Sequence, residues 1–216
     1  QSALADNRAF QRRYMVEAPL SDSGFRRQTG TLAADEGIFP TTAEGLAKLK
    51  PVKPNGTHTF GTQTHPADGN AGMIVTSREQ ARELSADPKI EVELLGFGQA
   101  RVEKGYMPLA PAPAAQVALK QAGLSIKDVD AVKSHNPFAA NDIAFARDTG
   151  FPLGKMNNYG CSLIWGHPQG PTGLRSTIEL IEELALRGGG VGLFTGCAAG
   201  DSGMALVLRV REAARK

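Results

Sequence analysis

From Ala71 to the C-terminus, short apolar runs that read as strands alternate with segments of helical periodicity. No other feature of the chain constrains its fold as strongly. Strands separated by helices pair side by side and take the helices onto their faces, which is the α/β class. The strands are expected at 71–77, 90–103, 129–134, 191–196 and 204–210. The helices are expected at 77–86, 111–122, 139–148 and 173–187. Ser77 is placed to cap the first of them, with Gln80 at the capping-box position. The second starts after prolines and stops at Gly123. In 173–187, Leu174, Ile178, Ile181 and Ala185 fall on one face, with Glu179, Glu182 and Glu183 elsewhere. Gly188–Gly190 end it. The last two strands are joined by CAAGDSG, long enough for a hairpin loop. The expected architecture is a layered, mixed five-stranded sheet with helices.

The first seventy residues differ. A helix is expected over 1–15, with Arg8, Arg12 and Arg13 in solvated positions. Breakers and polar residues crowd 21–70 (SDSG, FPTT, KPNGTH, HPADGN). One short helix fits 42–49, capped by Thr41 or Thr42 and ended by Pro51 and Pro54. So little apolar surface reads as an excursion that leans on another surface.

Composition removes several function classes. The 216 residues are enough for a real core. The balance of 24 basic against 22 acidic residues argues against a dedicated nucleic-acid binder. No run of 18 apolar residues offers a membrane span. QSALADNRAFQRRY lacks the apolar stretch of a signal peptide. The 2 cysteines make no disulfide framework and do not have zinc-knuckle spacing, so no metal site and a cytoplasmic location are expected.

The chain has 25 glycines, and many cluster between Gly154 and Gly203. The candidate reactive groups stand in the same region or just before it. His135 ends a strand in SHNPFAAND, His167 precedes a helix in WGHPQGPTG, and Cys197 follows a strand in FTGCAAGDSG. Such loops are where α/β folds place reactive groups, because a helix N-terminus favours developing negative charge. Each has a plainer reading: His135 as a strand-end histidine satisfied by backbone, His167 as a turn histidine before a helix, and Cys197 as a small buried hydrophobe. Cys161, among Leu163, Ile164 and Trp165, reads as structural. His65, in THPADGN, reads as a turn residue. GFGQARV lacks the third glycine of a dinucleotide loop, and there is no P-loop lysine and no GxSxG elbow.

Taken together, these segments resemble the thiolase superfamily over nearly the whole chain. DEGIFPTTAEGLAKLKPV and NGTHTFGTQTHPADGNAGMIVTS resemble the segment that closes the family's CoA-binding loop domain and returns to the core. HNPFAA stands in the place of the NEAF motif and is similar to the HDxF variant of sterol-carrier-protein-type thiolases. NNYGCSLIWGHPQGPTG resembles the stretch that carries GHP, and CAAGDSG stands in the place of the C-x-G motif.

The resemblance implies a domain division: 1–70 as part of the CoA-binding loop domain, 71–78 as a strand returning to the N-terminal half-fold, and 79–216 as the C-terminal core. It implies carbon–carbon bond cleavage or formation next to an acyl-CoA thioester, with coenzyme A as substrate and no tightly bound cofactor. His167 would activate a nucleophilic cysteine and stabilise an oxyanion. Cys197 would move the proton at the substrate α-carbon, and His135 would form an oxyanion hole. Thr64, His65 and Phe138 would face the pantetheine arm.

Asn136–Pro137 replaces the family's acidic-small pair, and Ala199 stands where C-x-G has glycine. Neither cysteine occupies the nucleophile's place, which in the family lies in the N-terminal half. A partner chain carrying that half is therefore expected, with dimers or tetramers of such pairs. Two other outcomes are compatible with the same motifs: a CoA-ester retro-aldolase that dispenses with the nucleophile, and a non-catalytic thiolase-like subunit.

Overall fold

The computed structural model describes residues 1–212, so the last four positions of the expected 79–216 domain lie outside it. The N-terminal segment holds a short, kinked helical turn, α1 (Ala5–Arg8), in place of the long helix expected over 1–15. Left-handed backbone at Asp6, Asn7 and Arg8 breaks the turn. A hairpin follows, β1 (Ala18–Ser21) with β2 (Gln28–Leu32), paired antiparallel. The next helix is α2 (Ala43–Ala47), whose Thr42 hydroxyl caps it by accepting from the Gly45 amide.

The segment 71–77 is not a strand, which corrects that expectation. Its apolar run would suit a ladder, yet no neighbouring strand is paired with it. Ile74 and Val75 stay exposed. Helix α3 (Arg78–Leu84) follows with the expected Ser77 cap.

The core is a sheet of β3 (Ile90–Arg101), β4 (Ala131–His135), β5 (Gly190–Ala198) and β6 (Ser202–Glu212). Its order is β3-β6-β5-β4, so among the described residues the sheet has four strands, not five. The missing one is the unpaired 71–77. Strand β6 runs antiparallel to both β3 and β5, and β4 lies parallel to β5. The sheet is thus mixed, as expected.

Helices cover both faces. On one face lie α4 (Pro111–Gln121) and α5 (Ala139–Thr149). There Ala115, Ala118 and Phe145 pack on Val132, Leu193 and Val207. After the short α6 (Ser162–Trp165), α7 (Thr172–Leu186) covers the other face. Leu180 and Leu184 pack there on Ala131, Phe194, Leu208 and Val210. The buried face of α7 therefore differs from the expected one. Leu174, Ile178, Ile181 and Ala185 are half-buried, whereas Glu179 and Glu183 are buried. Their carboxylates are neutralised by ion pairs with Lys133 and Arg187 respectively, which is the condition for burying charge.

Close packing of α4 on the sheet depends on Gly98. A Cβ there would stand 2.2 Å from the Ala114 carbonyl oxygen and 2.5 Å from the Ala118 amide. Backbone atoms cannot yield as a flexible side chain can. Gly98→Ala is expected to lower stability by about 1–3 kcal/mol or more. Urea unfolding midpoints measure it, and an unchanged midpoint would contradict this account.

Candidate active site

The ends of β4 and β5 and the turn before α7 meet at one cavity of about 920 Å³. His135, His167 and Cys197 all line it. His135 is the last residue of β4 and pairs in register with Gly196. Cys197 is therefore one residue beyond His135's neighbour on the adjacent strand. His167 arrives through a sharp turn at Gly166, whose φ of 94° favours glycine. Its imidazole stacks on that of His135, with centroids 4.3 Å apart and planes 30° apart.

Each group has a specific partner. The Thr172 hydroxyl donates to the Pro168 carbonyl, 3.1 Å away. Having one proton, it accepts from His167 Nδ1, at 2.8 Å. His167 thus keeps an unprotonated Nε2, the atom able to take a proton. Burial lowers its pKa, which keeps the ring neutral. Cys197 Sγ accepts from Asn141 Nδ2 at 3.3 Å. Burial pushes the Cys197 thiol up, and the Asn141 bond opposes this only in part. The group is a thiol at neutral pH, suited to give a proton. His135 Nδ1 lies 3.1 Å from the Ser162 hydroxyl.

Burial, and then the proximity of His167, bring the His135 pKa from the ordinary 6.5 down to about 4. Between those values the unfolded chain binds a proton that the folded one refuses. Stability contributed by the neutral ring is therefore whole above about pH 6.5 and is lost as pH falls toward 4. The full loss is about 3 kcal/mol. Unfolding midpoints at pH 7 and pH 4.5 should show a smaller acid loss for His135→Gln than for the parent. Equal losses would refute it.

Thr64, His65 and Phe138 are placed behind the site, outside the lining of this cavity. The Thr64 amide donates to the Pro137 carbonyl, and its hydroxyl donates to the Ser162 carbonyl. The His167 amide donates to the His65 carbonyl at 2.8 Å. The loop so braces both turns through its backbone and the Thr64 hydroxyl. Phe138 meets His58 edge-on, with centroids 5.9 Å apart. Ala199, exposed in the hairpin turn, also lines the cavity.

Asn141, Ser162 and Thr172 were not singled out from the sequence. Asn141 alone carried a local signal: it lies at the third position of α5 and caps it through the Phe138 amide. Among the described residues no group of three or more His, Cys, Asp or Glu could hold a metal ion. None of their helices is long and apolar enough to cross a membrane.

The mixed sheet is covered on both faces, with His135 and Cys197 at its strand ends and His167 in the turn before α7, and the fold is that of the C-terminal half of thiolases. Residues 88–210 match the family model described as "Thiolase, C-terminal domain", and the chain belongs to that family. An acetyl-CoA acetyltransferase of Syntrophomonas wolfei is 38% identical over 177 residues, 81% of this chain and 44% of that protein. The human mitochondrial 3-ketoacyl-CoA thiolase is 35% identical over 181 residues, 83% of this chain and 45% of its own length. The chain thus spans just under half the length of these curated relatives. Among solved structures, the Bacillus anthracis acetyl-CoA acetyltransferase superposes with a TM-score of 0.87 at 30% identity, over 97% of this chain and 52% of that one. The human mitochondrial 3-ketoacyl-CoA thiolase in complex with CoA superposes with a TM-score of 0.74 at 33% identity, over 83% and 46%.

Proposed function

We propose that this chain is the C-terminal part of a thiolase-type acyltransferase that cleaves or forms a carbon–carbon bond in a 3-oxoacyl-CoA, with coenzyme A as second substrate. The observation that carries the reading is the convergence of His135, His167 and Cys197 on one cavity. The nucleophilic cysteine belongs to an N-terminal half, joined to these residues or supplied by a partner chain. In this reading residues 1–70 belong to the CoA-binding loop domain and 79–216 to the catalytic core.

The chemistry follows from the protonation states. His167 Nε2 takes the proton of the incoming cysteine, whose thiolate attacks the C3 carbonyl. His167 then carries an N–H that can donate to the oxyanion. As the C2–C3 bond breaks, its electron pair moves to C2, next to the thioester, and the Cys197 thiol protonates that carbon. Coenzyme A finally takes the acyl group from the cysteine.

The test is thiolysis of a 3-oxoacyl-CoA by the chain together with its N-terminal half, with mass spectrometry of the purified material for a second polypeptide. CoA-dependent formation of two acyl-CoA products supports the proposal. No turnover in an assembly that carries the cysteine would defeat it.

A further inference from the structure

The hydrogen bonds behind His135 form a closed count of protons. Asp142 accepts from the Ser134 hydroxyl, from Asn136 Nδ2 and from Asn157 Nδ2. Burial pushes its pKa up, and these three donors, with Lys133, hold it down. The Asn136 amide is thereby turned so that its NH2 end meets Asp142 and its Oδ1 meets Ser162. The Ser162 hydroxyl is fully buried and has three neighbours, each at 3.1 Å: the Asn136 amide N–H, Asn136 Oδ1 and His135 Nδ1. The amide N–H can only donate, and Oδ1 can only accept. Ser162 has one proton to give.

If that proton goes to Oδ1, His135 Nδ1 must carry a hydrogen and donate to Ser162, and every group is satisfied. If it goes to His135, Oδ1 is stranded inside the protein. The first arrangement is favoured about 10- to 100-fold, the population ratio that one stranded buried carbonyl implies. His135 then turns an unprotonated Nε2 to the cavity.

We propose that Ser162, oriented by Asn136 and Asp142, holds His135 as the Nδ1–H tautomer, so that His135 meets its substrate as a hydrogen-bond acceptor. Nε2 cannot donate to an oxyanion in this state, which reverses the role expected of a histidine at this position. His167 differs because the thiol it deprotonates supplies its second N–H. Ser162 and Asn136 are positioning residues here. The proposal rests on the hydrogen bonds of this network and not on the acyl-CoA reading above.

The experiment uses the chain, with any N-terminal half that co-purifies, labelled with ¹⁵N in its histidine rings. His135→Gln assigns the signal. At pH 7 the expected spectrum shows His135 with a protonated Nδ1 and a bare Nε2. Asn136→Ala frees the Ser162 proton for His135 and should reverse the two nitrogens. Ser162→Ala, the second variant, should raise the Nε2–H form to a population comparable with the other. A parent protein with protonated Nε2 would overturn the proposal, as would an unchanged tautomer in both variants.

Discussion

In the proposed thiolase assembly, turnover is expected to fall about 10²–10⁴-fold when Cys197 becomes alanine, the range associated with losing a positioned acid or base. Its thiol is held protonated by burial and oriented by Asn141 Nδ2. Alanine removes the proton but leaves the strand pairing of Cys197 with Gly203 intact. The loss should therefore appear in kcat and not in the unfolding midpoint. Cys197→Ser keeps a hydroxyl in place of the thiol, but one far less acidic, so it should recover only part of the rate. Unchanged turnover in Cys197→Ala would favour a subunit that organises an active partner over one that takes part in the chemistry.

Lys133→Met is expected to produce the largest loss of stability, about 3–5 kcal/mol. Lys133 and Glu179 are each 1% exposed and form an ion pair between β4 and α7. The ammonium also donates to the Gly160 carbonyl at 2.6 Å. Without it, the Glu179 carboxylate stays buried with only the Tyr14 hydroxyl and Arg175 to meet it. Removing the second charge as well should recover part of the loss, so Lys133→Met with Glu179→Gln should be more stable than Lys133→Met alone. Urea unfolding of the three proteins measures this. A single-variant loss below about 1 kcal/mol, the range of exposed pairs, would show that the pair is solvated. Lys133 and His135 share one face of β4, because side chains alternate along a strand. The same ion pair therefore fixes the strand that presents His135 against the helix that follows His167.

The sequence made the sheet legible where pattern and punctuation agreed. β3, β4, β5 and β6 and the helices α4, α5 and α7 fall where apolar periodicity, prolines and glycines place them. The face of α7 was misjudged because Glu179 and Glu183 count as solvated in any periodicity argument. What buries Glu179 is Lys133, far away along the chain. The run 71–77 shows the converse. Apolar residues indicate a surface to bury, but a ladder also needs a neighbouring edge. His135, His167 and Cys197 were legible because they stand in glycine- and proline-marked loops and match family motifs. Ser162 and Thr172 were not. A single hydroxyl that settles where a ring proton sits leaves no local trace, and Ser162 lies 27 residues from His135.

The attachment of the N-terminal excursion to α7 has a consequence in polymer terms. Arg175 donates to both oxygens of Asp35, 140 residues away along the chain, and also stacks over Trp165 at 3.9 Å. Gln11 donates to the same carboxylate. Closing a loop of that length costs about 4 kcal/mol in chain entropy before any contact is rewarded. One ion pair between largely buried groups such as Arg175 and Asp35 falls short of that cost, because desolvation offsets much of its attraction. A cluster that shares one closure can meet it, because only the first bond pays and the rest form at high effective concentration. The clasp is therefore cooperative: its bonds form and release together, and the excursion is either seated on the core or free of it.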